Sequence, residues 1–230
     1  MIPTTLDGYI IHQRHYTDTR KLVDVFTREN GRGTVLYRVS KRASALTLFT
    51  RFQFACTGRT VLKTLISAEK LSPTPSLHAR SLYCGLYLNE LVSRILPEQE
   101  SFTQVFDCYH ETLSKLSAST EDSALQEVLL RRFEFRLLAE LGLGLDFQTD
   151  ACGRRIEADS PSSYYFEPEH GFVELSEPLA NRPVFCAADL SQLHRERWTE
   201  SSLRAAKYIS RLALAPLLGS RPLKARELFS

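Results

Sequence analysis

The sequence predicts an α+β protein, a small five-stranded β-barrel followed by an α-helical domain. Three observations predict it. Short β-rich runs separated by turn residues fill the first 72 positions, the pattern changes at Ser72-Pro73-Thr74-Pro75, and beyond that point apolar residues recur at helical spacing. The chain is 230 residues long, 43% hydrophobic, with 10 Gly and 10 Pro, which suffices for one large core or two small ones. It excludes a disordered chain, a coiled coil and a collagen-like repeat.

Residues 8–14 and 21–27 read as the first two strands, joined by a polar stretch. Asn30-Gly31-Arg32-Gly33 is a turn signal, and residues 34–39 follow as the third strand. In residues 52–57 polar and apolar residues partly alternate, Gly58-Arg59 turns the chain, and residues 60–66 make the fifth strand. Five short strands in so few residues suit a closed barrel of oligonucleotide-binding size. A long amphipathic helix is expected over 76–96, ended by Pro97, with others over 102–116 and 124–141, the last stopped by Gly142 and Gly144. Residues 147–186 are irregular, with strand-like pieces at 164–166 and 172–175. Helical patterning returns at 187–194 and 201–218, and 223–229 adds a last turn or two.

Charge is sorted along the chain. The formal total is only +2. Residues 1–80 hold 13 Lys+Arg against 5 Asp+Glu, residues 81–150 hold 5 against 12, residues 151–200 hold 5 against 9, and residues 201–230 hold 6 against 1. A basic barrel and a basic end flanking an acidic middle point to an anionic partner for the basic pieces. No apolar run reaches the roughly 18–20 residues of a membrane span, so no membrane association is expected. The start lacks the basic and continuous apolar regions of a signal peptide. Five dispersed cysteines read as reduced thiols in the cytoplasm.

Catalytic signatures are missing. There is no Walker loop, HExxH or GxSxG. Gly142-Leu143-Gly144 fails the dinucleotide pattern because Phe147 stands where the third glycine is needed, and Ser67-Ala68-Glu69-Lys70 sits at a strand end without companion motifs. No enzyme and no cofactor are expected. The enzymatic alternative is a nuclease using carboxylates such as Asp18 and Asp24 with magnesium.

Binding of a nucleic-acid strand needs cations for phosphates and flat side chains for bases. The barrel offers Arg14, Lys21, Arg28, Arg32, Arg38, Lys41, Arg42, Arg51, Arg59 and Lys63, interleaved with Tyr9, Tyr16, Tyr37, Phe49 and Phe52. Near the other end Arg204, Lys207 and Arg211 share one helix face, extended by Lys224 and Arg226.

Several blocks resemble the RecO family of bacterial recombination mediators. They are Asp24-Val25-Phe26-Thr27 with Gly31-Arg32, Lys63-Thr64-Leu65 with Ser67-Ala68-Glu69, and Leu86-Tyr87 with Asn89-Glu90-Leu91. Leu130-Arg131-Arg132-Phe133-Glu134 with Leu141-Gly142, Leu203-Arg204-Ala205-Ala206-Lys207, and the run from Pro222 to Phe229 continue the series in order. The resemblance implies an N-terminal oligonucleotide-binding (OB) fold over 1–74, a helical domain over 75–148 plus 187–230, and a zinc-ribbon-like insert over 149–186. It also implies binding of single- and double-stranded DNA and annealing of complementary strands. Its implied partners are RecR and the C-terminal tail of the single-stranded-DNA-binding protein, and its implied outcome is loading of RecA in the cytoplasm, at the nucleoid. The alternative is a general single-strand DNA or RNA binder without a mediator role.

Many members of that family hold zinc with two CxxC pairs in the insert. Here Thr149 stands where the first cysteine of the Cys152 pair is needed, and Cys186 is alone with Asp189 three residues on, so no zinc site is expected. The partner tail, acidic and hydrophobic in this resemblance, needs an apolar groove beside a cation, a need that Arg131 and Arg132 fit. Arg131 is the favoured one.

Overall fold

Alternating apolar positions close the first five strands on themselves. β1 (Thr4–Thr17), β2 (Arg20–Thr27), β3 (Gly31–Arg38), β4 (Arg51–Thr57) and β5 (Lys63–Lys70) form a closed barrel in the order β1-β2-β3-β5-β4. Every pairing is antiparallel except β3 with β5, where Val35, Leu36 and Tyr37 run beside Lys63, Thr64 and Leu65. That closure is the OB topology. The molecule is a computed structural model that describes residues 3–39, 46–58, 60–119, 121–176 and 182–229.

The barrel interior is filled by Leu6, Ile10, Val23, Val25, Val35, Phe52, Phe54, Cys56 and Leu65. These sit at alternate positions because successive strand side chains point to opposite faces. β1 is twice the expected length and carries register shifts between Ile10 and His12 and between His15 and Thr17. Such bulges bend a strand far enough to pair with two neighbours around a small barrel.

Contacts divide the chain into two compact units, residues 1–126 with 223–230, and residues 127–222. The expected break at 74/75 follows the last barrel strand, and by contacts the first unit continues to residue 126. α1 (Ala79–Ile95) and α2 (Thr103–Ala118) belong with the barrel. The cause is aromatic packing: the Tyr9 and Phe26 rings leave the barrel to meet Phe106 and Tyr109 of α2 at centroid distances of 5.0–5.8 Å. Tyr109 donates to Asn89 Oδ1 on α1, and Asn89 donates to the Ile11 carbonyl, so the buried polar atoms are satisfied. The loop after α1 is fastened to β3 by Arg32, whose Nε donates to the Leu96 carbonyl and whose guanidinium pairs with Glu98. Gly31 lies beneath it at φ +63°, and a Cβ there would sit 1.7 Å from the Glu100 carbonyl oxygen. Only glycine fits. Finally α6 (Lys224–Glu227) returns to α1, with Glu90 accepting from the backbone N–H groups of Lys224 and Ala225.

In the second unit, β6 (Ser163–Glu167), β7 (Gly171–Glu174) and the two-residue β8 (Phe185–Cys186) form a small antiparallel sheet in the order β7-β6-β8. The sheet covers a cluster of Phe147, Phe166, Phe172 and Phe185. α4 (Ala187–His194) and α5 (Glu200–Leu218) follow. α5 begins at a capping box in which Thr199 accepts from the Ser202 backbone N–H. α3 (Ser123–Glu140) runs from the first unit into the second. The chain is thus α+β, with an OB barrel, helices and an irregular insert. No helix among the described residues is long and apolar enough to cross a membrane.

Candidate nucleic-acid interface

The barrel's cations fall into two groups. Arg14 pairs with Asp24 at 2.6 Å, Arg28 with Asp107 at 3.0 Å through two parallel bonds, Arg51 with Asp7 through two bonds, and Arg32 with Glu98 at 2.9 Å. Those of Arg28, Arg32 and Arg51 are fasteners of the fold. The Arg28 side chain holds the Asp107 carboxyl below its usual range, and the Arg51 guanidinium lies 5.7 Å from the Phe106 ring centroid. Arg32 therefore belongs to the architecture, and Arg14 is partly neutralised.

Arg20, Lys21, Arg38 and Lys63 make no ion pair among the described residues. Strand register brings them to one end of the β2-β3-β5 wall, Arg20 and Arg38 on its outer face and Lys21 and Lys63 at inward-facing positions at the end of the barrel. Arg20 is directly opposite Arg38, Lys21 opposite Tyr37, and Lys63 beside Val35. Like charges facing one another across a sheet are destabilising, so an opposed, exposed arginine pair is an arrangement that an anion would relieve. The neighbouring hairpin tip carries Tyr16, 58% exposed, and the β4–β5 loop carries the exposed Val61 and Leu62. OB barrels receive oligonucleotides between these two loops.

Tyr9, Phe49 and Phe52 are buried, and Tyr37 packs against the barrel core. Phe52 fills the barrel, Tyr9 packs on α2 and Phe49 against Gly85 of α1, which leaves Tyr16 as the exposed flat ring of the barrel. Lys41, Arg42 and Arg59 lie outside the described residues. Arg20 escaped the sequence reading because its partner across the sheet is set by register. Asp24 is taken up by Arg14 and Thr34, and no three His, Cys, Asp or Glu side chains converge as a metal would need among the described residues.

On α5, Lys207 pairs with Glu127 at 3.1 Å, whereas Arg204 and Arg211 stay exposed with Tyr208 between them. Lys224 is exposed on α6 of the first unit. Of the α3 arginines, Arg131 is 5% exposed and bound to the fully buried Glu134 at 2.6 Å. Arg132 is exposed and, among the described residues, pairs with Glu196 alone, itself 65% exposed, at 3.3 Å. Next to it Phe135 stacks on Trp198 at 6.4 Å and tilts against Phe147 at 5.4 Å. An accessible cation beside aromatic surface is therefore at Arg132, not at Arg131.

The insert does not suit zinc. Cys152 is exposed, and the Cys186 thiol donates to Asp189 at 3.2 Å. Where a metal would tie the first knuckle, the Asp150 carboxylate accepts from the backbone N–H groups of Cys152 and Arg154 at 2.9 and 2.8 Å and from the Arg154 guanidinium. Burial pushes this carboxyl up, but those hydrogen bonds outweigh it and hold it below the usual range.

An OB barrel with an exposed, opposed arginine pair on its β2–β3 face has the fold and surface charge of the OB class of nucleic-acid-binding proteins. Comparison with known proteins narrows that class. Residues 1–74 match the model of the recombination protein O N-terminal domain, and residues 78–227 that of the recombination protein O C-terminal domain. DNA repair protein RecO of Actinobacillus pleuropneumoniae serotype 7 (strain AP76) is 36% identical over 236 residues, covering 100% of this chain and 95% of that protein. The proteins of the same name from Enterobacter sp. (strain 638) and Escherichia coli O139:H28 are each 37% identical over 228 residues, covering 96% of this chain and 94% and 92% of theirs. The chain belongs to the RecO family of DNA repair and recombination proteins.

Proposed function

We propose that this protein is a mediator of DNA repair and homologous recombination. It binds single- and double-stranded DNA, anneals complementary strands and, with RecR, helps load RecA on strands coated by single-stranded-DNA-binding protein. The observation that supports this most directly is the exposed Arg20–Arg38 opposition, in which neither arginine has an ion pair among the described residues. Phosphates supply that charge, and each one bound releases condensed counterions. Holding two strands on cationic surfaces lowers their mutual repulsion and raises their effective concentration. No covalent step and no cofactor are required.

The cation and aromatic surface at Arg132, Phe135 and Trp198 suits an acidic, hydrophobic tail of the single-stranded-DNA-binding protein. The protein acts in the cytoplasm, at the nucleoid. The test is annealing of complementary strands coated by that protein, with and without its C-terminal tail. Annealing that needs the tail is expected; annealing of bare strands only reduces the protein to a general strand binder.

A further inference from the structure

We infer that the second unit carries its own single-strand site, in which a base stacks on Tyr208 while Arg204 and Arg211 hold the flanking phosphates. The inference rests on the DNA-binding reading above and adds a site and a recognition mode to it.

Positions 204, 208 and 211 are spaced i, i+4, i+7 and so lie on one face of α5. At 1.5 Å per residue the two guanidinium-bearing positions are about 10 Å apart along the axis, with the ring between them. Tyr208 is 49% exposed, a large apolar surface left open on a helix whose other face buries Ala205, Ala206, Ile209, Ala213 and Leu214. Arg211 has no ion pair among the described residues, and Arg204 meets only Glu200 at 3.8 Å, with side chains 69% and 90% exposed. A pair so exposed is worth close to nothing and yields to a phosphate.

The stripe borders a cavity of about 500 Å³ against the insert, lined by Arg182, Val184, Phe185, Arg204 and Tyr208 among others. That size falls within the range of small-ligand sites. Val184 is 46% exposed and gives the cavity an apolar wall beside its two arginines. The carboxylate in it, Asp189, already accepts from Cys186 and from Ser201. A neighbouring cavity shares Arg182, which pairs with Glu167 at 3.2 Å, and adds Glu169 and His170 to its lining, so it lacks the cations of the α5 stripe. Cations on both sides of an open aromatic face are what a sequence-tolerant single-strand binder presents. Duplex DNA keeps its bases stacked on one another and cannot use Tyr208.

The experiment uses the full chain carrying Arg20→Thr and Arg38→Thr, which weakens the barrel surface and leaves α5 intact. A fluorescent thymidylate octamer and an abasic octamer of equal length are titrated at 0.15 M salt. Tyr208→Ala in this background should weaken thymidylate binding about 5- to 150-fold, the equivalent of about 1–3 kcal/mol per stacked base. It should also abolish the preference for thymidylate over the abasic strand, while Tyr208→Phe keeps both. If Tyr208→Ala binds the two octamers as its parent does, the proposal is overturned. In that case the DNA-binding reading still stands if the unsubstituted chain binds the octamer. A chain that binds no octamer even before substitution overturns both.

Discussion

Replacing the opposed arginines separates a functional surface from a structural one, because binding and stability should move in opposite directions. Arg20 and Arg38 face each other across the β2–β3 pairing, and both are exposed. Threonine suits a strand, so Arg20→Thr and Arg38→Thr remove charge without loss of β-propensity. Two unit charges about 6 Å apart in water repel by about 0.7 kcal/mol before screening. Removing either arginine removes the whole of that term, so the first substitution should stabilise the protein by about 0.5 kcal/mol and the second should add almost nothing. Binding behaves differently. Each single-strand phosphate contact contributes about 0.7 to the slope of log K against log salt, which is about 4-fold in affinity at 0.15 M. One substitution should therefore weaken binding about 4-fold, and both together about 14-fold, with the salt slope shallower by about 1.4. Urea denaturation of the single and double variants gives the stability cycle, and titration of a labelled oligonucleotide from 0.05 to 0.5 M salt gives the slope. Stability that falls with each substitution, or a salt slope that does not change, would refute the assignment.

Other consequences follow from the same contacts. Arg131→Ala strips the guanidinium from the buried Glu134 and should cost about 3–5 kcal/mol, read by thermal unfolding, whereas Arg132→Ala should unfold as the parent does and lose affinity for an acidic hydrophobic peptide. Gly31→Ala should destabilise the barrel unit, since its Cβ would meet backbone at Glu100; an unchanged melting temperature would contradict the close approach. Burial, aided by Arg51, holds the His110 imidazole below its ordinary value, beside the Tyr9 hydroxyl. The unfolded chain then takes up the proton first, so stability should fall as pH drops through about 6.5, and His110→Gln should remove that component. The depressed carboxyl of Asp150 gives a second loss only as pH falls below about 4, absent in Asp150→Asn. Incubation with a chelator should leave the melting curve unchanged, because Asp150 ties the knuckle that a metal would otherwise hold; a lowered curve would reveal a bound metal.

Sequence alone determined the order of elements. Short β-rich runs between turn signals placed the five strands, helical periodicity placed the helices that became α1 to α5 to within a few residues, and the glycines and prolines placed their ends. Those signals are local, carried by the residues that form each element. The charge partition was equally legible and already separated basic from acidic segments. Tertiary structure alone decided which cations are available. Arg28, Arg32 and Arg51 look like Arg20 and Arg38 in the sequence, yet the first three meet carboxylates 79, 66 and 44 residues away and the other two meet each other. The same holds for the aromatics, where packing against α2 withdraws Tyr9 from solvent and a hairpin tip leaves Tyr16 in it. On α3 the rotation of about 100° between adjacent residues buries Arg131 and exposes Arg132. A charge or a ring contributes to a binding surface only when nothing inside the protein satisfies it first, and that depends on long-range pairing that no local pattern records.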